Sequence, residues 1–197
     1  MTKITDLKVY DLKESVIACR NSMRIEPAKH TKEEFEQSLE RAKKLTKLGN
    51  GHDNFLCGIR VSFNLVYPNY LSPELQRYHW VDIVNSSSKM HKLFKIVEGG
   101  GFNKYVSEGT ISYIEILADT YNKDKTYDNF MKLISNCPLG LELFMRVSTN
   151  YLQLKTIYKQ RRNHKLKEDW GVICDMIERL PYPELIIGDI NLNDKKS

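Results

Sequence analysis

Apolar residues recur along this chain with two different periods, and the changes from one to the other predict an α+β fold. From Ile59 to Tyr67, the residues Ile59, Val61, Phe63, Leu65 and Tyr67 alternate with Arg60, Ser62 and Asn64. A period of two predicts a half-buried, antiparallel strand, and Pro68 ends it. Leu141, Leu143, Met145 and Val147 alternate with Glu142, Phe144 and Arg146 in the same way and predict a second strand. Leu7 and Val9 mark a short edge strand over 6–10, and Val81 to Val84 read as extended.

Between these runs the spacing becomes helical. Thr31 and Glu34 form a capping box, and Phe35, Leu39, Ala42 and Leu45 follow at helical intervals until Gly49-Asn50-Gly51 breaks the pattern. A stripe over Leu12–Met23 predicts a helix closed by Pro27. Ser72-Pro73-Glu74 starts a short helix toward Trp80, and Ser86 or Ser87 caps another through Phe94. Residues 109–121 and 126–135 read as two helices. Thr149 is expected to cap a long helix to about His164, and Trp170, Ile173, Ile177 and Leu180 mark the last helix, stopped by Pro181. Gly99-Gly100-Gly101 lacks the spacing of a nucleotide-binding glycine loop and reads as a linker. Mixed rather than regularly alternating elements favour α+β: a small, mostly antiparallel sheet flanked by several helices. The expected organisation is one domain over 1–197 with a frayed polar tail over about 189–197.

Composition narrows the class. The chain has 197 residues, 41% hydrophobic and 28% charged, which suits a globular protein with a real core. Its four cysteines are scattered, and the histidines have no partner at metal-ligand spacing, so no metal site is expected. Reduced thiols, no apolar N-terminal run and no membrane-length window predict a cytoplasmic protein. The formal net charge of +5 makes phosphate-bearing partners plausible without choosing among them.

The densest candidate chemistry lies in Gln76–His91, which holds His79, His91, Arg77, Lys89 and the run Asn85-Ser86-Ser87-Ser88. Such a stretch suits an anion or a polar ring, although Ser and Asn are also ordinary turn and cap residues. A cationic run of Lys155, Lys159, Arg161, Arg162, Lys165 and Lys167 reads as a solvated face, a phosphate site or a nucleic-acid surface. No Ser-His-Asp arrangement is legible.

Four ordered landmarks resemble the flavin-dependent thymidylate synthases. Ile17-Ala18-Cys19-Arg20 is similar to that family's Ala-Ala-Arg segment, and Gly51-His52-Asp53-Asn54 to its Gly-His-x-Ser. Its signature R-H-R-x-x-S-x-N-x-x-S-x-R-Y, laid on Tyr78–His91, matches His79, Asn85 and Ser88. Tyr78, Trp80, Ile83 and Met90 depart from it. Pro138-Leu139-Gly140 resembles the family's Leu-Pro segment, and Thr149-Asn150 its Thr-x-Asn. Asn150, Leu154 and Arg161 keep the spacing that follows, but Leu152 stands in place of an arginine, and the family's Ala-Gln-x-Glu-Ile-Arg is not recognisable.

The resemblance implies a homotetramer holding FAD and dUMP at subunit interfaces, with methylene transfer from methylene-folate to dUMP. It places His52, Asn54, His79 and Asn85 near FAD, and Ser86, Ser88, Lys89 and Arg161 near the pyrimidine nucleotide. No single catalytic residue is assigned. The missing arginines weaken the expected grip on phosphate, since lysine does not reproduce a bidentate guanidinium contact. Three readings stay open: a divergent flavin-dependent enzyme, a non-catalytic member binding a nucleotide or protein partner, and a basic nucleic-acid-binding module.

Overall fold

The computed structural model describes residues 1–188, and the expected frayed tail lies outside them. The elements run β1 (Lys3–Tyr10), α1 (Leu12–Ala18), α2 (Lys32–Leu48), β2 (Arg60–Pro68), α3 (Ser72–Leu75), β3 (Asp82–Ser86), α4 (Lys89–Glu98), α5 (Glu108–Lys123), α6 (Tyr127–Asn136), β4 (Glu142–Asn150), α7 (Tyr151–Arg161), α8 (Lys167–Glu178) and α9 (Glu184–Ile187). The four strands form one sheet in the order β1-β2-β4-β3, with antiparallel pairing throughout. The fold is α+β, as the mixed periodicity predicts.

The two strands with strict alternation lie at the centre. In register, Phe63 faces Val147, Leu65 faces Met145 and Tyr67 faces Leu143, all buried. The opposite face carries Arg60, Ser62, Asn64, Arg146 and Ser148 and reaches solvent. Two arginines pin that polar face across the strands. Arg60 donates to Ser148 Oγ on β4 and Asp82 on β3, and Arg146 donates to Asn64 on β2 and Asp6 on β1. Each edge strand is interrupted by a bulge, at Asp6 in β1 and at Val84 in β3. Such irregularities blunt an edge against further strand pairing.

Helices cover the apolar face. α7 packs on β4 and α8 on β1, while α2 and α9 brace α1 and α7 from outside, and α4, α5 and α6 form a separate helical cluster. Asp169, in the first turn of α8, joins the segments just before β1 and just after β2 by accepting from Thr2 Oγ1 and from Tyr70 OH, the latter at 2.8 Å.

Several sequence expectations shift for local reasons. Thr31 caps α2, but Glu34 turns away from a reciprocal box to accept from Lys29 N–H and pair with Arg24. Asn150 rather than Thr149 caps α7, its Oδ1 accepting from Gln153 N–H at 2.8 Å. Thr149 stays in the strand, buried beside Asn150, and its hydroxyl has no protein partner. Ser88, not Ser86 or Ser87, caps α4. The triple glycine is a helix stop rather than a linker. Gly100 takes a left-handed φ of 67°, Gly101 N–H returns to Ile96 O, and Gly101 O accepts from Glu142 N–H at the start of β4.

Candidate functional site

Helix α7 anchors two of the sequence landmarks, one on each flank. Two hydrophilic side chains two residues apart, Gln153 and Lys155, leave it about 200° apart around the axis and each anchors one landmark. On one flank Lys155 donates to Asp53 Oδ2 at 2.7 Å and to the Thr46 carbonyl. This fixes the Gly49–Asn54 turn, with Asp53 buried and His52 and Asn54 left exposed.

On the other flank the chain leaving α3 runs along α7. The amide of Trp80 donates to Gln153 Oε1 at 3.1 Å. Tyr78 OH donates to Gln160 Oε1 at 3.0 Å and accepts from Arg161 Nε at 2.7 Å. Between this segment and the helix lies a cleft of about 390 Å³ lined by Arg77, Tyr78, His79, Gln153, Thr156, Gln160 and Arg161. His79 meets Trp80 edge-on, with ring centroids 4.8 Å apart, and both are exposed.

Arg161 is held more firmly than a solvated cation. Its guanidinium lies 4.6 Å over the ring of Trp170, its Nη1 pairs with Glu74 at 2.9 Å, and Glu74 also accepts from Trp170 Nε1 at 2.8 Å. His164 stands 3.8 Å from the same carboxylate. Two of the five guanidinium N–H groups are therefore engaged, by Tyr78 and Glu74. Arg161 lines the cleft as a preorganised donor whose charge is partly answered by Glu74. Beyond it a second cleft of about 520 Å³ opens between α7 and α8, lined by Arg162, His164, Lys167, Cys174 and Glu178 among others. Tyr158, on its wall, donates to Glu178 at 2.8 Å. Burial, reinforced by that carboxylate, pushes its hydroxyl up to about 12.

The remaining expected residues stand apart. Asn85 and Ser86 are exposed on β3, with Asn85 Oδ1 accepting from the Ser86 amide at 2.8 Å. Ser88 is occupied as the α4 cap, and Lys89 donates to Asn69 at 3.0 Å. β3 is roughly 13 Å long, so this cluster lies at its far end from Trp80. The eight expected residues thus fall into three surface groups: His52 and Asn54, His79 with Arg161, and Asn85 through Lys89. Of these, His79 and Arg161 line one cleft together.

Sequence reasoning passed over Glu74, Asp53, Gln153 and Lys155, which hold the landmarks in place. Asp53 sits inside the quoted Gly-His-Asp-Asn segment, and Lys155 was part of the cationic run, so both were in view without a signal that they pair. Of the departing residues Tyr78, Trp80, Ile83 and Met90, Tyr78 is buried and anchors Arg161, whereas the other three remain exposed. Among the described residues no cluster of His, Cys, Asp or Glu could hold a metal ion, and no helix is long and apolar enough to cross a membrane.

Comparison with known proteins decides the fold. A crystal structure of the flavin-dependent thymidylate synthase ThyX from Helicobacter pylori, complexed with FAD and dUMP, superposes with a TM-score of 0.67. The match covers 92% of this chain and 96% of that one at 14% identity. A second structure of thymidylate synthase X from Helicobacter pylori, with FAD and dUMP at 2.31 Å resolution, gives 0.68 over 94% and 96% at 15% identity. The likeness is one of fold. No family model and no curated protein sequence matches the chain.

Proposed function

We propose that this chain is a divergent flavin-dependent thymidylate synthase-like protein that binds a pyrimidine deoxynucleotide and FAD, and turns dUMP to dTMP with methylene-folate. The observation that carries the reading is the whole-length match to a fold seen with FAD and dUMP, combined with the landmarks flanking α7. Three separate surface groups make sense if copies of the chain complete each other's sites, so the reading includes a homo-oligomer, a tetramer in the form the resemblance implies.

The residues fit such ligands in part. Arg77 and the spare donors of Arg161 suit one phosphate, with His79 and the Gln160 amide beside it. Arg162 and Lys165 supply further cations from the end of α7. Asn85, Ser86, Ser88 and Lys89 offer polar groups to a nucleotide held across a subunit boundary, and His52 and Asn54 offer theirs from the other flank of α7. Bound FAD would supply the hydride. The contribution of the chain's own residues is to orient the pyrimidine and answer its charge, the terms on which such a reaction depends.

A second reading rests on a specific observation. Arg161 is engaged by Glu74, and Tyr78, Trp80 and Met90 supply no guanidinium where the resembled signature has arginines, so the fold could serve nucleotide binding without turnover. An assay of purified protein with FAD, dUMP, methylene-folate and dithionite separates the two. Formation of dTMP supports the enzyme; dUMP binding by calorimetry without dTMP supports the second reading. The absence of both overturns the proposal.

A further inference from the structure

Trp80 occupies a position that nothing so far has given a ligand. Its side chain is 50% exposed, unusual for the largest apolar residue in a chain with a well-formed core. It is not a loose surface residue. Its backbone amide is fixed to the buried Gln153 on α7, its ring is met edge-on by His79, and the following Val81 amide returns to Tyr78 O at 3.1 Å. The indole therefore stands against His79, which lines the α3–α7 cleft, on a backbone held at both sides. The cleft beside it presents Arg77, Arg161 and Gln160, groups that recognise an anion and a carbonyl edge.

An anchored indole beside cationic and amide donors is the arrangement that binds a planar heteroaromatic ring carrying phosphate. The ring lies on the indole face, and the polar groups take the charged end. Stacking needs no complementary charge, so it can replace part of the affinity that a guanidinium would otherwise supply. We propose that Trp80 is a stacking platform for the planar ring of a phosphate-bearing ligand at this cleft, and that this chain holds that ligand by ring contact where Trp80 stands in place of an arginine of the resembled signature. The inference rests on the nucleotide- and flavin-binding reading above. Two rings share the required chemistry, an isoalloxazine and a pyrimidine.

The test is calorimetric titration of the full chain with FAD and, separately, with dUMP, on the unmodified protein and on Trp80→Leu and Trp80→Phe. Loss of one stacked ring is expected to weaken binding on the order of tenfold in Trp80→Leu, with Trp80→Phe within about threefold of the unmodified protein because it keeps an aromatic face. A loss confined to FAD assigns the flavin ring, and one confined to dUMP assigns the pyrimidine. The chain has only two tryptophans, and Trp170 is fully buried. Exposure of Trp80 to acrylamide quenching should therefore fall on adding whichever of FAD or dUMP the titrations assign to it, and that signal should be missing from Trp80→Leu. Equal affinity of Trp80→Leu for both ligands overturns the stacking inference and leaves the functional reading standing. Equal losses in Trp80→Leu and Trp80→Phe also overturn it, since a ring would then not be what matters. Failure of the unmodified protein to bind either ligand overturns both. The unchanged melting temperature expected of each variant separates a lost contact from a lost fold.

Discussion

At the residue scale, Glu74 and Lys155 carry the arrangement of the candidate site, although the sequence marks Glu74 only as part of a helix start and Lys155 only as one of a cationic run. Glu74 serves two buried donors, Arg161 Nη1 and Trp170 Nε1. Glu74→Ala leaves both without their acceptor, and the expected cost is about 1–3 kcal/mol, read as a lower denaturant midpoint. Partial solvent access keeps the value below that of a fully buried ion pair. Lys155→Met removes the partner of the nearly buried Asp53 carboxylate and should cost about 1–2 kcal/mol. In addition, amide exchange in the Gly49–Asn54 turn should quicken more than exchange in β2. Uniform exchange changes would show that the pair stabilises the whole molecule and not that turn. Residues such as these escape sequence reasoning because a carboxylate's partner lies far along the chain: Asp53 and Lys155 are 102 positions apart, Glu74 and Trp170 96. By contrast, His79 and Arg161 were legible as candidates because motif spacing marks them locally, and the structure brings that pair to one cleft.

Among the elements, the central strands were the most legible, since strict alternation has one physical solution, a sheet buried on one face. Edge strand β3 was half legible: exposed on both faces, it has no apolar period, and only Val81 to Val84 hinted at it. Helix starts were displaced by a residue or two wherever several cap residues adjoin, as at Ser86-Ser87-Ser88 and Thr149-Asn150. Sequence cannot decide which hydroxyl or amide meets the free N–H when strand pairing sets where the helix begins. The glycines show the same limit. Gly140 follows Pro138-Leu139 as an apparent breaker, yet its role is close approach: a Cβ there would lie 2.4 Å from Val106 Cγ2 and 2.9 Å from Asn103 Oδ1. Gly140→Ala should therefore force apart the 103–106 turn and the entry to β4, at a cost of about 1–3 kcal/mol in thermal or denaturant unfolding. A neutral result would mean that this contact is not tight.

For the whole molecule, the tethering of α8 to the segments just before β1 and just after β2 should show in the alkaline stability. Tyr70 donates to Asp169, and burial, then that carboxylate, pushes its hydroxyl up to about 12; Tyr158 is likewise pushed up to about 12. Ordinary tyrosine titrates near 10. The unfolded chain therefore loses these protons first, and stability falls as pH rises from about 10 through about 12. Equilibrium unfolding at pH 9 and pH 11 should show the loss, and Tyr70→Phe should reduce it. The fold places the three groups of candidate residues on separate parts of one chain's surface, and no local spacing in the sequence relates one group to another, so their relation was the least legible feature. The proposed function requires this chain to hold a flavin. Absorbance titration of the purified chain with FAD tests it most directly. The expected result is a saturable, bound-flavin spectrum with perturbed bands near those of the free cofactor, and a protein that stays yellow through gel filtration. A colourless protein with no spectral change at saturating FAD would contradict it.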